Sequence, residues 1–218
     1  MTAGGTRNIL FPPPPRGRPI DLLVVGISPY QSAPVAYTHS FDGLTEFARH
    51  FQYVSGGNGE QGHYYDPYYQ RLLRFVRRVD NRFGVWWEVE RGTSELLVEF
   101  TDALHIATAR GNDDIDDILD GGLSGVSVRS ECRQILEMEL VLHQPKAVLG
   151  NGRFASDLLW ELCTGQPLRT APPDAVIPKS RFGCPVHLSG FLTSKSMDGF
   201  SKARLVREIQ DHAPFRPH

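Results

Sequence analysis

The chain has 218 residues, enough for one α/β domain with a sizeable core, and its 40% hydrophobic and 22% charged residues are an ordinary globular mix. No apolar run approaches the length that crosses a bilayer, which excludes a membrane-spanning helical protein. The net charge of −2 excludes a chain that attracts nucleic acid as a whole, so any such affinity has to come from a local patch.

Taken in order, residues 1–20 read as a flexible arm. Pro12–Pro15 favours an extended conformation, and the segment lacks the apolar centre of a signal peptide. Residues 21–218 read as one domain. Asp21–Tyr30, DLLVVGISPY, is a buried strand (Leu22, Leu23, Val24, Val25) ended by a Gly-Ile-Ser-Pro-Tyr turn. Loops at the carboxyl ends of parallel strands are where open α/β sheets bind ligands, so this turn is a candidate wall of an active site.

Leu44, Phe47, Ala48 and Phe51 predict a helix over Phe41–Tyr53, and Ser55–Gly62 a glycine-rich loop. Tyr64, Tyr65, Tyr68 and Tyr69 crowd the start of a helix carrying Leu72, Leu73, Phe75, Val76 and Val79. They are either an aromatic surface turn or a stacking wall for a planar ligand. Glu95–Thr101 predicts a second strand. Asp113, Asp114, Asp116, Asp117 and Asp120 lack the spacing of a calcium loop and read as a solvated helix start. Arg129–His143 predicts an amphipathic helix with Ile135, Met138 and Leu142 on one face and Leu136 and Leu140 on an adjoining one. Lys146–Gly150 predicts a third strand, Phe154–Cys163 a helix, Val186–Gly190 a fourth strand, and Ser201–Asp211 a last helix. Strands alternating with helices imply a parallel sheet covered on both faces. Three cysteines (Cys132, Cys163, Cys184) without a pairing motif point to a reduced, cytoplasmic protein.

Three strand-end turns then stand together: Gly26-Ile-Ser-Pro-Tyr30, Thr101-Asp102 and His187-Leu-Ser189. In this order they resemble the uracil-DNA glycosylase superfamily, with its first G-x-[D/N/A]-P-[Y/G] motif, an Asn ending a middle strand, and a late H-P-S motif. Gly62–Leu73 resembles the family-four G-x-P-F-x-G-x-x-x-x-L-L segment, with Tyr65 at the stacking aromatic. Cys132–Gly150 is similar to that branch's C-x-x-x-L-x-x-E-L segment and following strand, and Gly199–Lys202 resembles the stretch after H-P-S in family one. The likeness covers roughly residues 20–210. It implies a three-layer α/β/α sandwich around a four-stranded parallel sheet.

The resemblance also implies a function: a monomeric, monofunctional DNA glycosylase that hydrolyses the N-glycosidic bond of a flipped pyrimidine. His187 would donate to the departing base, Ser189 would contact a phosphate, and Phe191 would be the wedge. Tyr65 would stack on the base, with Tyr30 and Ile27 shaping the pocket wall; Lys195 and Lys202 would add phosphate contacts within a modestly basic carboxyl-terminal stretch. Each has a structural alternative: a buried core histidine, a loop serine, a core phenylalanine, a turn tyrosine, a solvated helix face.

Departures from the pattern sharpen the expectation. Ser28 stands where the most active relatives have Asp; a hydroxyl holds a water but is a poor general base. Asp102 stands where Asn reads uracil. Ionised, it offers acceptors only and suits the exocyclic amine of cytosine. Protonated in a desolvated pocket, it could mimic Asn and keep uracil, or share its proton with cytosine N3. A cytosine-type base, plain or modified, is favoured, which fits defence against foreign DNA carrying modified cytosine. Uracil excision in repair and a non-catalytic nucleic-acid-binding module are the alternatives. Of the family-four cluster cysteines only Cys132 matches, so neither an iron–sulfur cluster nor another metal or cofactor is expected.

Overall fold

The structure, a computed structural model, describes residues 19–27, 66–103, 128–167, 175–192, 197–212 and 215. In chain order the described elements are β1 (Leu22–Gly26), α1 (Asp66–Val79), β2 (Phe83–Gly84), α2 (Trp86–Glu90), β3 (Leu96–Asp102), α3 (Val128–His143), β4 (Ala147–Asn151), α4 (Arg153–Thr164), β5 (Val176–Ile177), β6 (Val186–Ser189) and α5 (Gly199–His212). They form an α/β fold whose sheet has six strands in the order β2-β3-β1-β4-β6-β5. All neighbouring pairs are parallel except β5–β6, which is antiparallel.

The sheet therefore has six strands rather than the expected four. The two additions, β2 and β5, are two residues each and lie at the edges. Pieces so short carry no alternation to detect, and the same holds for the five-residue α2. The predicted helix over Phe41–Tyr53, the glycine-rich loop, the aspartate-rich segment and most of the amino-terminal arm lie outside the described residues.

β1 is the centre of the fold and is buried along its length. Leu22 and Val24 enter the layer formed with Leu72, Phe75 and Val76 of α1 and Leu205, Val206 and Ile209 of α5. Leu23 and Val25 enter the opposite layer, with Leu136 and Leu140 of α3 and Leu158, Leu159 and Leu162 of α4. A strand covered on both faces needs no polar alternation, which is why LLVV reads as an unbroken apolar run. Asp21 sets its lower end. One carboxylate oxygen accepts the Leu97 N–H at 2.7 Å and the other pairs with the Lys146 ammonium at 2.7 Å, so one buried side chain ties the start of β1 to both neighbouring strands.

α3 packs through one of the two apolar faces that its sequence offers. Leu136 and Leu140 are buried, whereas Met138 and Leu142 are 65% and 77% exposed. The inward stripe is Leu136, Glu139, Leu140, His143, at helical spacing but with two polar members. Among the described residues no helix is long and apolar enough to cross a membrane.

Candidate active site

Parallel strands bring their carboxyl ends to one rim. The chain leaves β1 for β3 on one side and then crosses to β4 on the other, so the strand order reverses beside β1, the place where open α/β sheets leave a crevice. Gly26 pairs with Asp102, Val25 with Gly150, and Asn151 with Ser189. The rim row therefore reads Asp102, Gly26, Asn151, Ser189 across the four long strands. The row beneath reads Phe100, Val24, Leu149, His187. The rows are about 7 Å apart, and the rim from β3 to β6 spans about 14 Å. Residues at the two ends of the rim therefore cannot touch each other.

The middle of the rim is closed by backbone proximity. Gly152 has φ 108°, and a Cβ there would meet the Ile27 side chain at 2.9 Å and the Phe191 ring at 3.4 Å. Only glycine takes that conformation in that space. Ile27 and Phe191, from loops 164 residues apart in sequence, thus converge on Gly152. Asn151 is fully buried, and its side-chain oxygen accepts the Leu192 N–H at 2.8 Å, which fixes the loop carrying Phe191.

Ser189 is buried. Its hydroxyl donates to the Gly150 carbonyl at 2.7 Å and lies 3.0 Å from that of Gly190. The Ser156 hydroxyl donates to the Ser189 carbonyl and accepts its N–H. In this arrangement Ser189 closes the end of β6, and a phosphate contact would require its hydroxyl to turn away from both carbonyls.

His187 lies one row below the rim, on the α1–α5 face. It is fully buried, and neither ring nitrogen has a hydrogen-bond partner among the described residues. Its ring centroid is 6.0 Å from that of His212 at the end of α5, at 67°. Burial, and secondarily the charge on His212, pull its pKa from 6.5 down to about 4, so the imidazole is neutral at pH 7. A buried polar group without a partner costs about 1–3 kcal/mol. Glu99, in mid β3 on the opposite face, shows the reverse: burial raises its pKa from 4.5 to about 8.

The two groups act oppositely on stability. The unfolded chain binds the His187 proton below about pH 6.5 and the folded one only below about 4, so this contribution is present above 6.5 and lost as pH falls between those values. The folded chain keeps the Glu99 proton up to about pH 8, so that contribution is present below 4.5 and lost as pH rises to 8. Glu99→Gln should therefore leave stability at pH 4.5 near wild type and raise it by about 2–4 kcal/mol at pH 8. Urea unfolding at both pH values checks this, and an equal effect at both would refute the assignment.

Of the residues expected at the site, Ile27, His187, Ser189, Phe191 and the backbone of Asp102 fall on the rim or the row beneath it. Lys202 sits in the first turn of α5, half-buried. Ser28, Tyr30, Tyr65 and Lys195 lie outside the described residues. Asn151 and Gly152 were legible only as a Gly-Asn-Gly turn opening a helix; a polar residue ending an apolar strand was the available signal. Arg153 opens α4 and pairs with Asp157 at 3.1 Å, and Lys202 stands in the first turn of α5, whose start is capped by Asp198. Among the described residues no group of three or more His, Cys, Asp or Glu could hold a metal ion. No family model and no curated protein matches the chain.

Proposed function

We propose that the chain is a DNA glycosylase that hydrolyses the N-glycosidic bond of a flipped pyrimidine, with a cytosine-type base favoured by Asp102. The observation that carries this reading is convergence. Gly26-Ile27, Asp102, Asn151-Gly152 and Ser189–Phe191, far apart in sequence, end four adjacent parallel strands at one rim, beside the point where strand order reverses. A mostly parallel six-stranded α/β sheet with helices on both faces supports this reading.

In the reaction, water adds to the sugar carbon as its bond to the base nitrogen breaks, and the base leaves with the electron pair. Positive charge develops on the sugar and negative charge on the base. A neutral, buried imidazole offers one N–H to the departing base without competition from solvent, and no hydrogen bond to the described residues has to break to do so. Ser28 would hold the water in the turn after β1. The base would enter past the rim, between Asp102 on β3 and His187 on β6.

One observation favours a second reading. His187 is fully buried and packed against His212 rather than open at the rim, which suits a non-catalytic nucleic-acid-binding module. Incubating the protein with duplexes containing uracil, cytosine or bulky cytosine derivatives, and assaying abasic sites, separates them. Abasic sites at cytosine derivatives support the proposal. Cleavage at uracil alone removes the cytosine preference, and binding without abasic sites supports the module.

A further inference from the structure

Phe191 was the expected wedge, yet it packs on Gly152 and Ile27 and is only partly exposed. Nine residues on, Phe200 is 83% exposed, and it is the only aromatic among the large, strongly exposed apolar residues described. It stands in the first turn of α5. That helix follows the carboxyl end of β6 and packs back along the sheet, so its start lies at the rim end of the fold.

Phe200 is held outward by an ordered turn. Asp198 accepts the Ser201 N–H at 2.8 Å and the Ser201 hydroxyl at 3.2 Å through its carboxylate, and the Lys202 N–H at 3.1 Å through its carbonyl. Leu192 and Met197, on either side of the preceding loop, are both sunk in the core. A projecting aromatic two residues from Lys202, at the rim end of the fold, has the makings of a surface that meets a stacked base beside a phosphate.

We propose that Phe200, not Phe191, enters the duplex and fills the gap left by the flipped nucleotide. This rests on the glycosylase reading and adds to it the residue that holds the DNA open. Phe191 acts instead as a positioning residue that shapes the rim through Gly152.

The test uses the full chain and a duplex carrying a tetrahydrofuran abasic-site analogue beside 2-aminopurine, with an intact duplex as control. Phe200→Ala should weaken binding to the gapped duplex by about 10- to 100-fold, as expected for losing one base–aromatic stack. It should abolish the 2-aminopurine fluorescence change and leave Tm within about a degree, since a side chain this exposed contributes little to folding. Phe200→Trp should restore binding. Phe191→Ala should lower Tm. If wild type binds the gapped duplex and Phe200→Ala matches it, with Phe191→Ala losing the fluorescence change, the wedge assignment is overturned and the glycosylase reading stands. If wild type binds neither duplex, both fall together.

Discussion

Under the proposed glycosylase function, Asp102→Asn is expected to move specificity from a cytosine-type to a uracil-type base, shifting the ratio of kcat/KM for the two bases by about 10³-fold or more. An ionised carboxylate presents only acceptors. It matches the exocyclic amine of cytosine and opposes the O4 of uracil, whereas an amide presents one donor and one acceptor and matches uracil. Sites built around a specific hydrogen bond reject the wrong partner by large factors, because the buried polar group is then left unpaired. Asp102 ends β3 beside Gly26, at the opposite end of the rim from β6, where a residue reading one edge of the base has to stand. Single-turnover excision on matched duplexes measures the ratio. A near-silent substitution would mean that the carboxyl is protonated and already acts as an amide does. A wild-type preference for uracil would remove the cytosine reading.

His187→Leu is expected to leave the protein as stable as wild type or more so, while excision falls by about 10²- to 10³-fold. The stability half follows from burial: both ring nitrogens are sealed from solvent with no partner among the described residues, and an apolar side chain of similar size removes that cost, about 1–3 kcal/mol. The same substitution should erase the part of the acid destabilisation that falls between about pH 6.5 and 4, because that proton-binding difference belongs to His187. Urea unfolding at pH 5 and 7, set beside excision rates, reads both halves. Destabilisation with full activity would identify a core histidine. Unchanged duplex binding with no activity in either protein would identify the binding module.

Much of the fold was legible because its signals are local. α1, α3, α4 and α5 end within about three residues of their sequence-predicted limits, since their apolar spacing and their punctuation by Pro67, Pro145 and Gly165 are written in adjacent residues. β1 was legible for the same reason. The facing of α3 was not. Its sequence offers two apolar stripes, and the one that packs carries Glu139 and His143. Glu139 is accommodated by a 3.3 Å hydrogen bond from Thr101, a strand residue that no reading of the helix alone could supply.

The candidate site divides in the same way. Which turns end the strands, and with them Ile27, Asp102, Ser189 and Phe191 as rim residues, can be read from neighbouring residues alone, because glycine, proline and the end of an apolar run mark a strand terminus wherever it lies. Three features emerge only from the packed fold: Phe191 turns in while Phe200 stands out, Ser189 directs its hydroxyl at the Gly150 and Gly190 carbonyls, and His187 sits below the rim against His212. Each of these depends on which atoms of distant segments arrive beside the side chain. That is fixed by strand order and packing, and no local pattern encodes it.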